Sequence, residues 1–353
     1  MTTSQHNHIF LDRNENLYGP SPKCFEALRA MTLEELSFYS RDFQRGVKST
    51  LSERLAQEHG IAESQILLSE GSEDMLKQAV HCYLGPGEKI LCPDQSWWYY
   101  RAVAAEVGGE TVTYKLHERG NAYVYDVDAL IDQYERISPR VVLIASPNNP
   151  TGNSFRDDDL LRLTEAFRES IVILDEAYWG FSSPDAGRLG RLVGSYRNLL
   201  VLRTFSKFYA LAGARIGYAA AGASLSRLTR FASRYLGYNR ISELLALAAL
   251  DSPEYYRAIN ENIRADRDRL YAFFDGIRGA TCFRSDANFV LVRLPSGLAQ
   301  RLADHLKTRD ILVKTFSEDE FRDCIRITIG TREHTRTLED ALAGYFSSSP
   351  QTT

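Results

Sequence analysis

The sequence predicts an α/β protein, a three-layer α/β/α large domain built on a mainly parallel sheet and followed by a smaller α+β domain. Three observations carry this. Apolar runs of strand length alternate with helical patterns through the first two-thirds of the chain. Several of those runs lack alternation, as strands covered on both faces require. Past about residue 245 the texture changes to one long charged amphipathic pattern followed by shorter strands.

Taken in order, the polar start Met1 to His8 has no signal-peptide pattern. Strands are predicted at Gln65 to Leu68, Lys89 to Cys92, Val141 to Ala145, Ile171 to Leu174, Leu199 to Leu202 and Ile216 to Ala220. Helical spacing separates them at Glu73 to Tyr83, Trp98 to Val107 and Asp157 to Arg168. Glu254 to Phe274 reads as one long helix, with strands at Phe289 to Val292, Ile311 to Val313 and Ile325 to Ile329. The expected division is an N-terminal arm (1–34) packing with the small domain, a large domain (35–245) and a small domain (246–353). The polar tail Ser347 to Thr353 is expected to fray.

Composition excludes several classes. The 353 residues carry a net charge of -4, which gives no reason to expect a polyanionic partner such as nucleic acid. No apolar run reaches membrane-spanning length. Five cysteines stand without C-x-x-C spacing, so free thiols in a reducing cytoplasm are expected, with no metal site.

The chemistry is concentrated where strands end, the place open α/β sheets put their sites. Thr204-Phe205-Ser206-Lys207 follows the strand Leu199 to Leu202, with Arg215 eight positions beyond Lys207. A lysine there suits imine formation with a carbonyl compound while Thr204, Ser206 and Arg215 hold a phosphate. That combination describes a pyridoxal-phosphate (PLP) site. Gly71-Ser72-Glu73 opens a helix, whose free N–H groups complete a phosphate cup, although an ordinary N-cap looks the same. Asp175 closes a buried strand and can hold the ring nitrogen protonated; its bland reading is a cap. Tyr178 and Asn149, the latter in Ser146-Pro147-Asn148-Asn149-Pro150-Thr151-Gly152, suit the ring oxygen, against a core tyrosine and a plain turn. Arg326 suits a substrate carboxylate, although a lone arginine among β-branched residues ordinarily lies on a solvated face.

The joint order of these parts is similar to that of the fold-type I PLP-dependent aminotransferases, and most resembles histidinol-phosphate aminotransferase. The resemblance runs from Leu11 to about Leu342. Its specific segments are Asp12-Arg13-Asn14-Glu15-Asn16-Leu17-Tyr18-Gly19-Pro20, Thr204 to Gly217, and Ile325 to Glu333. It implies an amino donor and a 2-oxo acid exchanging an amino group by a ping-pong mechanism. Lys207 would hold the cofactor as an imine and shuttle the α-proton. Asp175 would pair with the ring nitrogen, Asn149 and Tyr178 with its oxygen, and Trp97 would stack on the ring. Asn16 and Tyr18 would lie near the substrate. Tyr39 would reach the phosphate of a neighbouring subunit's cofactor, implying a homodimer with shared sites.

Four departures bear on the substrate. Trp97 stands for the usual tyrosine, Leu17 and Ser40 for prolines, and Lys314 near a usual arginine. Histidinol phosphate and another amino acid of a specialised pathway therefore both stay open. Tyr18, Trp97, Tyr209, Arg234, Tyr235, Tyr238 and Lys314 are the candidates for the side-chain pocket. A decarboxylase resembling threonine-phosphate decarboxylase is the alternative chemistry, and a catalytically silent relative the alternative class. A nicotinamide dehydrogenase is disfavoured, since no G-x-G-x-x-G follows a strand with an acidic residue about 20 positions on.

Overall fold

The computed structural model describes residues 8–182, 185, 187–233 and 236–348. Arg234 and Tyr235 lie outside the described residues, as does most of the tail expected to fray. Ser347 and Ser348 belong instead to the last helix, Arg332–Ser348.

The strands, in chain order, are β1 (Ile9–Leu11), β2 (Ile66–Ser69), β3 (Lys89–Pro93), β4 (Glu110–Tyr114), β5 (Leu116–Arg119), β6 (Ala122–Tyr125), β7 (Val141–Ala145), β8 (Ile171–Asp175), β9 (Leu199–Thr204), β10 (Gly217–Ala221), β11 (Thr281–Cys282), β12 (Phe289–Arg293), β13 (Ile311–Thr315) and β14 (Cys324–Thr328). Seven form one sheet in the order β2-β10-β9-β8-β7-β3-β4. Pairing is parallel from β9 to β4, while β10 runs antiparallel to both β9 and β2. The mainly parallel sheet thus contains one reversed strand, and Ile216 lies just outside it. The reversal matters because β10 enters at the edge where its neighbours end. Gly217 stands opposite both Ser69 and Thr204.

Apolar strands of this kind bury both faces, and alternate residues feed two cores. Val142, Ile144, Val172, Leu174 and Val201 pack with the helices Thr50–His59, Asp157–Ala166, Arg188–Ser195 and Arg240–Leu250. Leu143, Ile173, Leu200 and Leu202 pack on the other side with Ser72–Tyr83 and Tyr99–Glu106. Three layers result.

A five-stranded sheet, β1-β13-β14-β12-β11, packs with Pro253–Asp275, Leu298–Lys307 and Arg332–Ser348 around Leu270, Phe289, Leu302, Ile325 and Leu338. Its first strand comes from the N-terminal segment, where Ile9 to Leu11 lie parallel to Ile311 to Val313. The hairpin β5–β6 stands apart as a two-stranded ribbon. All five cysteines are buried free thiols. Among the described residues, no helix is long and apolar enough to cross a membrane, and no cluster of His, Cys, Asp and Glu suits a metal ion.

Candidate active site

The predicted residues converge at the edge where β2, β7, β8 and β9 end and β10 begins. Gly71 takes φ +90°, open to glycine alone at little cost, and leads into the helix Ser72–Tyr83. A Cβ at Gly71 would lie 2.6 Å from Arg215 Nη2. A Cβ at Gly217 would lie 2.3 Å from the Gly71 carbonyl carbon and 2.5 Å from Ser72 N. Two side-chain-free positions therefore let the helix start sit directly on β10. Arg215, itself at φ +50°, places its guanidinium 3.4 Å from the Glu70 carbonyl and 3.7 Å from the Glu73 carboxylate. The Thr204 hydroxyl donates to Ile216 O (3.0 Å) and accepts the Ser206 N–H (3.1 Å), with Ser206 Oγ 2.9 Å away. Hydroxyls, a guanidinium and a helix N-terminus around glycine backbone form a donor set suited to a phosphate.

Asp175, at the end of β8, is buried. Its Oδ2 accepts from Tyr100 Oη (2.8 Å) and its Oδ1 from the Ala177 N–H (2.9 Å). Burial pushes its pKa up, and the two hydrogen bonds work against that. Tyr100 is raised well above the ordinary phenol value, first by burial and then by the Asp175 charge, so it remains a donor. Trp97 leans edge-on against Tyr100 at 5.6 Å between centroids, whereas Trp98 points into solvent.

Lys207 Nζ donates to the Arg13 carbonyl (3.2 Å) and lies 5.7 Å from the centre of the Tyr178 ring. The Tyr178 hydroxyl accepts from Asn14 Nδ2 (2.9 Å), and Asn16 Nδ2 donates to Phe208 O (2.9 Å). The Asn14-Glu15-Asn16 segment is thereby tied to the lysine loop. Tyr18 packs instead with the core of the five-stranded sheet, and burial next to Asp266 raises its pKa.

Arg326, on β14, is buried rather than solvated. Its Nη1 donates to Asn149 Oδ1 and its Nη2 to Asp12 O, both at 2.5 Å, while the buried Nε has no acceptor among the described residues. With its oxygen taken by Arg326, the Asn149 amide turns its N–H2 elsewhere, the polarity a ring oxygen needs. Asn148 secures this loop through Gln95 O (2.8 Å), Ser96 Oγ (2.5 Å) and Thr151 Oγ1 (2.7 Å). Both Ser146-Pro147 and Asn149-Pro150 are cis.

Other candidates sit further out. Tyr39 is 72% exposed and Lys314 is exposed on β13. Tyr209 stacks on Phe205, and Tyr238 Oη donates to Ser69 O (2.6 Å), bracing the end of β2. Tyr100, Asn14 and Asn148 were not singled out from sequence. The available signal was spacing, since Tyr100 falls three residues after Trp97, and Asn14 opens the Asn-Glu-Asn segment.

Residues 7–342 match the family described as Aminotransferase class I and II. The chain is 32% identical over 340 residues to histidinol-phosphate aminotransferase 1, chloroplastic, of Arabidopsis thaliana, covering 96% of this chain and 78% of that protein. It is likewise 32% identical to the histidinol-phosphate aminotransferase of Ruminiclostridium cellulolyticum, over 95% of this chain and 91% of that one. The crystal structure of histidinol-phosphate aminotransferase from Sinorhizobium meliloti, in complex with pyridoxal-5'-phosphate, matches with a TM-score of 0.83 at 26% identity, covering 96% and 91% of the two chains. With sequence, fold and donor set in agreement over nearly its whole length, this chain belongs to the class I and II aminotransferases, PLP-dependent enzymes of fold type I.

Proposed function

We propose that the two buried charges flanking Lys207 divide the work of amino transfer between cofactor and substrate. Among the described residues, no cation acts on Asp175, and Arg326 has no carboxylate at ion-pair distance, only the more distant charge of Asp12. An unpaired buried charge is strongly destabilising, so each of these is explained by a ligand of opposite charge. The complement to Asp175 is a protonated ring nitrogen, and the complement to Arg326 is a substrate carboxylate or phosphate. This is the observation that carries the reading.

Bound PLP supplies an electron sink conjugated to the carbon that carries the amino group. Gly71, Ser72, Glu73, Thr204, Ser206 and Arg215 hold its phosphate, Asp175 its ring nitrogen, and Asn149 with Tyr178 its ring oxygen. Trp97 covers the ring face. Lys207 Nζ anchors the cofactor covalently and, once released, carries the proton at the substrate's α-carbon. Arg326 orients the substrate by its anionic group, with Asn16 and Tyr18 ordering the N-terminal segment above it. Histidinol phosphate, the substrate in the relatives' names, offers a phosphate for that guanidinium, and a 2-oxo acid offers a carboxylate.

The unit is a homodimer in which Tyr39 completes the partner's site; its exposure, together with exposed Leu33, Leu36 and Phe38, supports this. The pairing of β1 with β13 supports an arm (1–34) that belongs with the small domain (246–353), leaving 35–245 as the large domain. Five free thiols support a reducing, cytoplasmic setting.

Borohydride reduction of the holoenzyme followed by peptide mapping should place the cofactor on Lys207, and Lys207→Ala should abolish turnover. A label on another lysine, or full activity in the variant, would end the proposal. The requirement for an oxo-acid acceptor, measured against carbon dioxide release, separates transamination from decarboxylation. A screen of amino donors then tests histidinol phosphate directly.

A further inference from the structure

We propose that Tyr256 is a positioning residue for Lys207, resting on the assignment of Lys207 as the imine-forming lysine, and that it holds the backbone just after that lysine in a strained shape. Tyr256 lies in the first turn of the helix Pro253–Asp275 and is buried. Its hydroxyl accepts from Ser21 N (3.0 Å) and donates to Tyr209 O (3.1 Å). One phenol thus ties the N-terminal segment and the lysine loop to a third element. Ala210 in that loop takes φ +57°, the left-handed region that a Cβ disfavours. Its N–H donates to Lys207 O (3.2 Å), so the strained turn closes directly on the lysine backbone, and the Leu211 N–H donates to Phe205 O (3.0 Å). Such strain persists only where the surroundings over-determine the backbone. Here two successive carbonyls are held, Phe208 O by Asn16 Nδ2 (2.9 Å) and Tyr209 O by Tyr256. The Tyr256 ring also packs edge-on to Tyr209 at 5.0 Å between centroids and tilted to Phe208 at 5.7 Å. Burial raises the pKa of its phenol, so the hydroxyl stays a donor. The adjacent Tyr255 differs: its hydroxyl donates to the carbonyls of Tyr18 (3.3 Å) and Gly19 (3.2 Å), in the N-terminal segment, and to no lysine-loop atom among the described residues.

The visible absorbance of the holoenzyme follows protonation of the imine nitrogen on Lys207 and needs no substrate. Tyr256→Phe keeps the ring and removes the tether. A looser loop admits water, which favours the charged form, so this variant should raise the midpoint of the pH titration by about half a pH unit, roughly a threefold change in the equilibrium. Ala210→Gly relieves the strain; added to Tyr256→Phe it should return about half of the displacement, and alone it should leave the midpoint in place. Tyr255→Phe should leave it in place too. No displacement in Tyr256→Phe, an equal one in Tyr255→Phe, or no recovery with Ala210→Gly each overturns the assignment. A lower thermal midpoint with an undisplaced titration does the same, since it makes Tyr256 a packing residue. Borohydride mapping of Tyr256→Phe should still label Lys207, and a label elsewhere overturns the reading of Lys207 itself. If Tyr256→Phe does not fold, the double variant decides: its midpoint should lie above that of Ala210→Gly, and equal midpoints overturn the assignment.

Discussion

The hydroxyl of Tyr100 reaches a carboxylate that no described cation neutralises, and that contact sets how firmly Asp175 is aimed. A hydrogen bond to a charged group contributes about 1.5–3 kcal/mol. Tyr100→Phe is therefore expected to lower kcat/KM by roughly tenfold to a hundredfold, with faster loss of cofactor on dialysis. Wild-type values on both measures would reduce Tyr100 to a packing residue. Lys207, Asp175, Asn149, Tyr178 and Arg215 can be singled out as candidates from sequence because each sits in a motif with fixed spacing. Sequence did not show Tyr100, since a buried tyrosine at a helix start looks the same whether its hydroxyl meets a carboxylate or a carbonyl. Arg326 was ambiguous for a related reason. Alternation in Ile325-Arg326-Ile327 says that the arginine faces away from the isoleucines, not whether that side is water or an enclosed site.

At the scale of elements, β10 is the part whose geometry the site depends on most. Gly217 leaves no room for a methyl group against the backbone of Gly71 and Ser72, whereas a Cβ at Gly213 meets nothing within 4 Å. Gly217→Ala should lower the thermal midpoint through about 1–3 kcal/mol of overpacking and weaken cofactor retention with it. Gly213→Ala should leave both unchanged, and an equal response from the two variants would show that the close approach is unimportant. The strands read most easily were β7, β8 and β9, whose residues are buried throughout and leave continuous apolar runs. The edge strand β4 and the hairpin β5–β6 were missed because Glu110, His117, Glu118 and Arg119 face solvent and break that pattern. The three residues of β1 become a strand only by pairing with β13, from the other end of the chain. The reversal of β10 was equally unreadable, because an apolar run carries no direction.

Across the whole molecule, the stretch 25–43 exposes Phe25, Leu33, Leu36, Phe38, Tyr39 and Phe43. Apolar surface on this scale is what the proposed homodimer would cover, and the proposed sharing of sites makes a distinctive claim about it. Lys207→Ala and Tyr39→Ala homodimers should each be impaired. A hybrid of the two contains one site with both native residues, so refolding the variants together should restore activity above that of either. No restoration in verified hybrids would show that Tyr39 acts within its own subunit or not at all. The order of the parts along the chain has one more consequence. Arg215 and Gly217 come late, and Arg326 much later, so a growing polypeptide on the ribosome has its lysine before its phosphate cup is closed. Arg326, proposed to read substrate, is translated after every residue proposed to hold the cofactor. On the proposed roles, the order of translation delivers the groups that would hold the vitamin ahead of the one that would meet the metabolite.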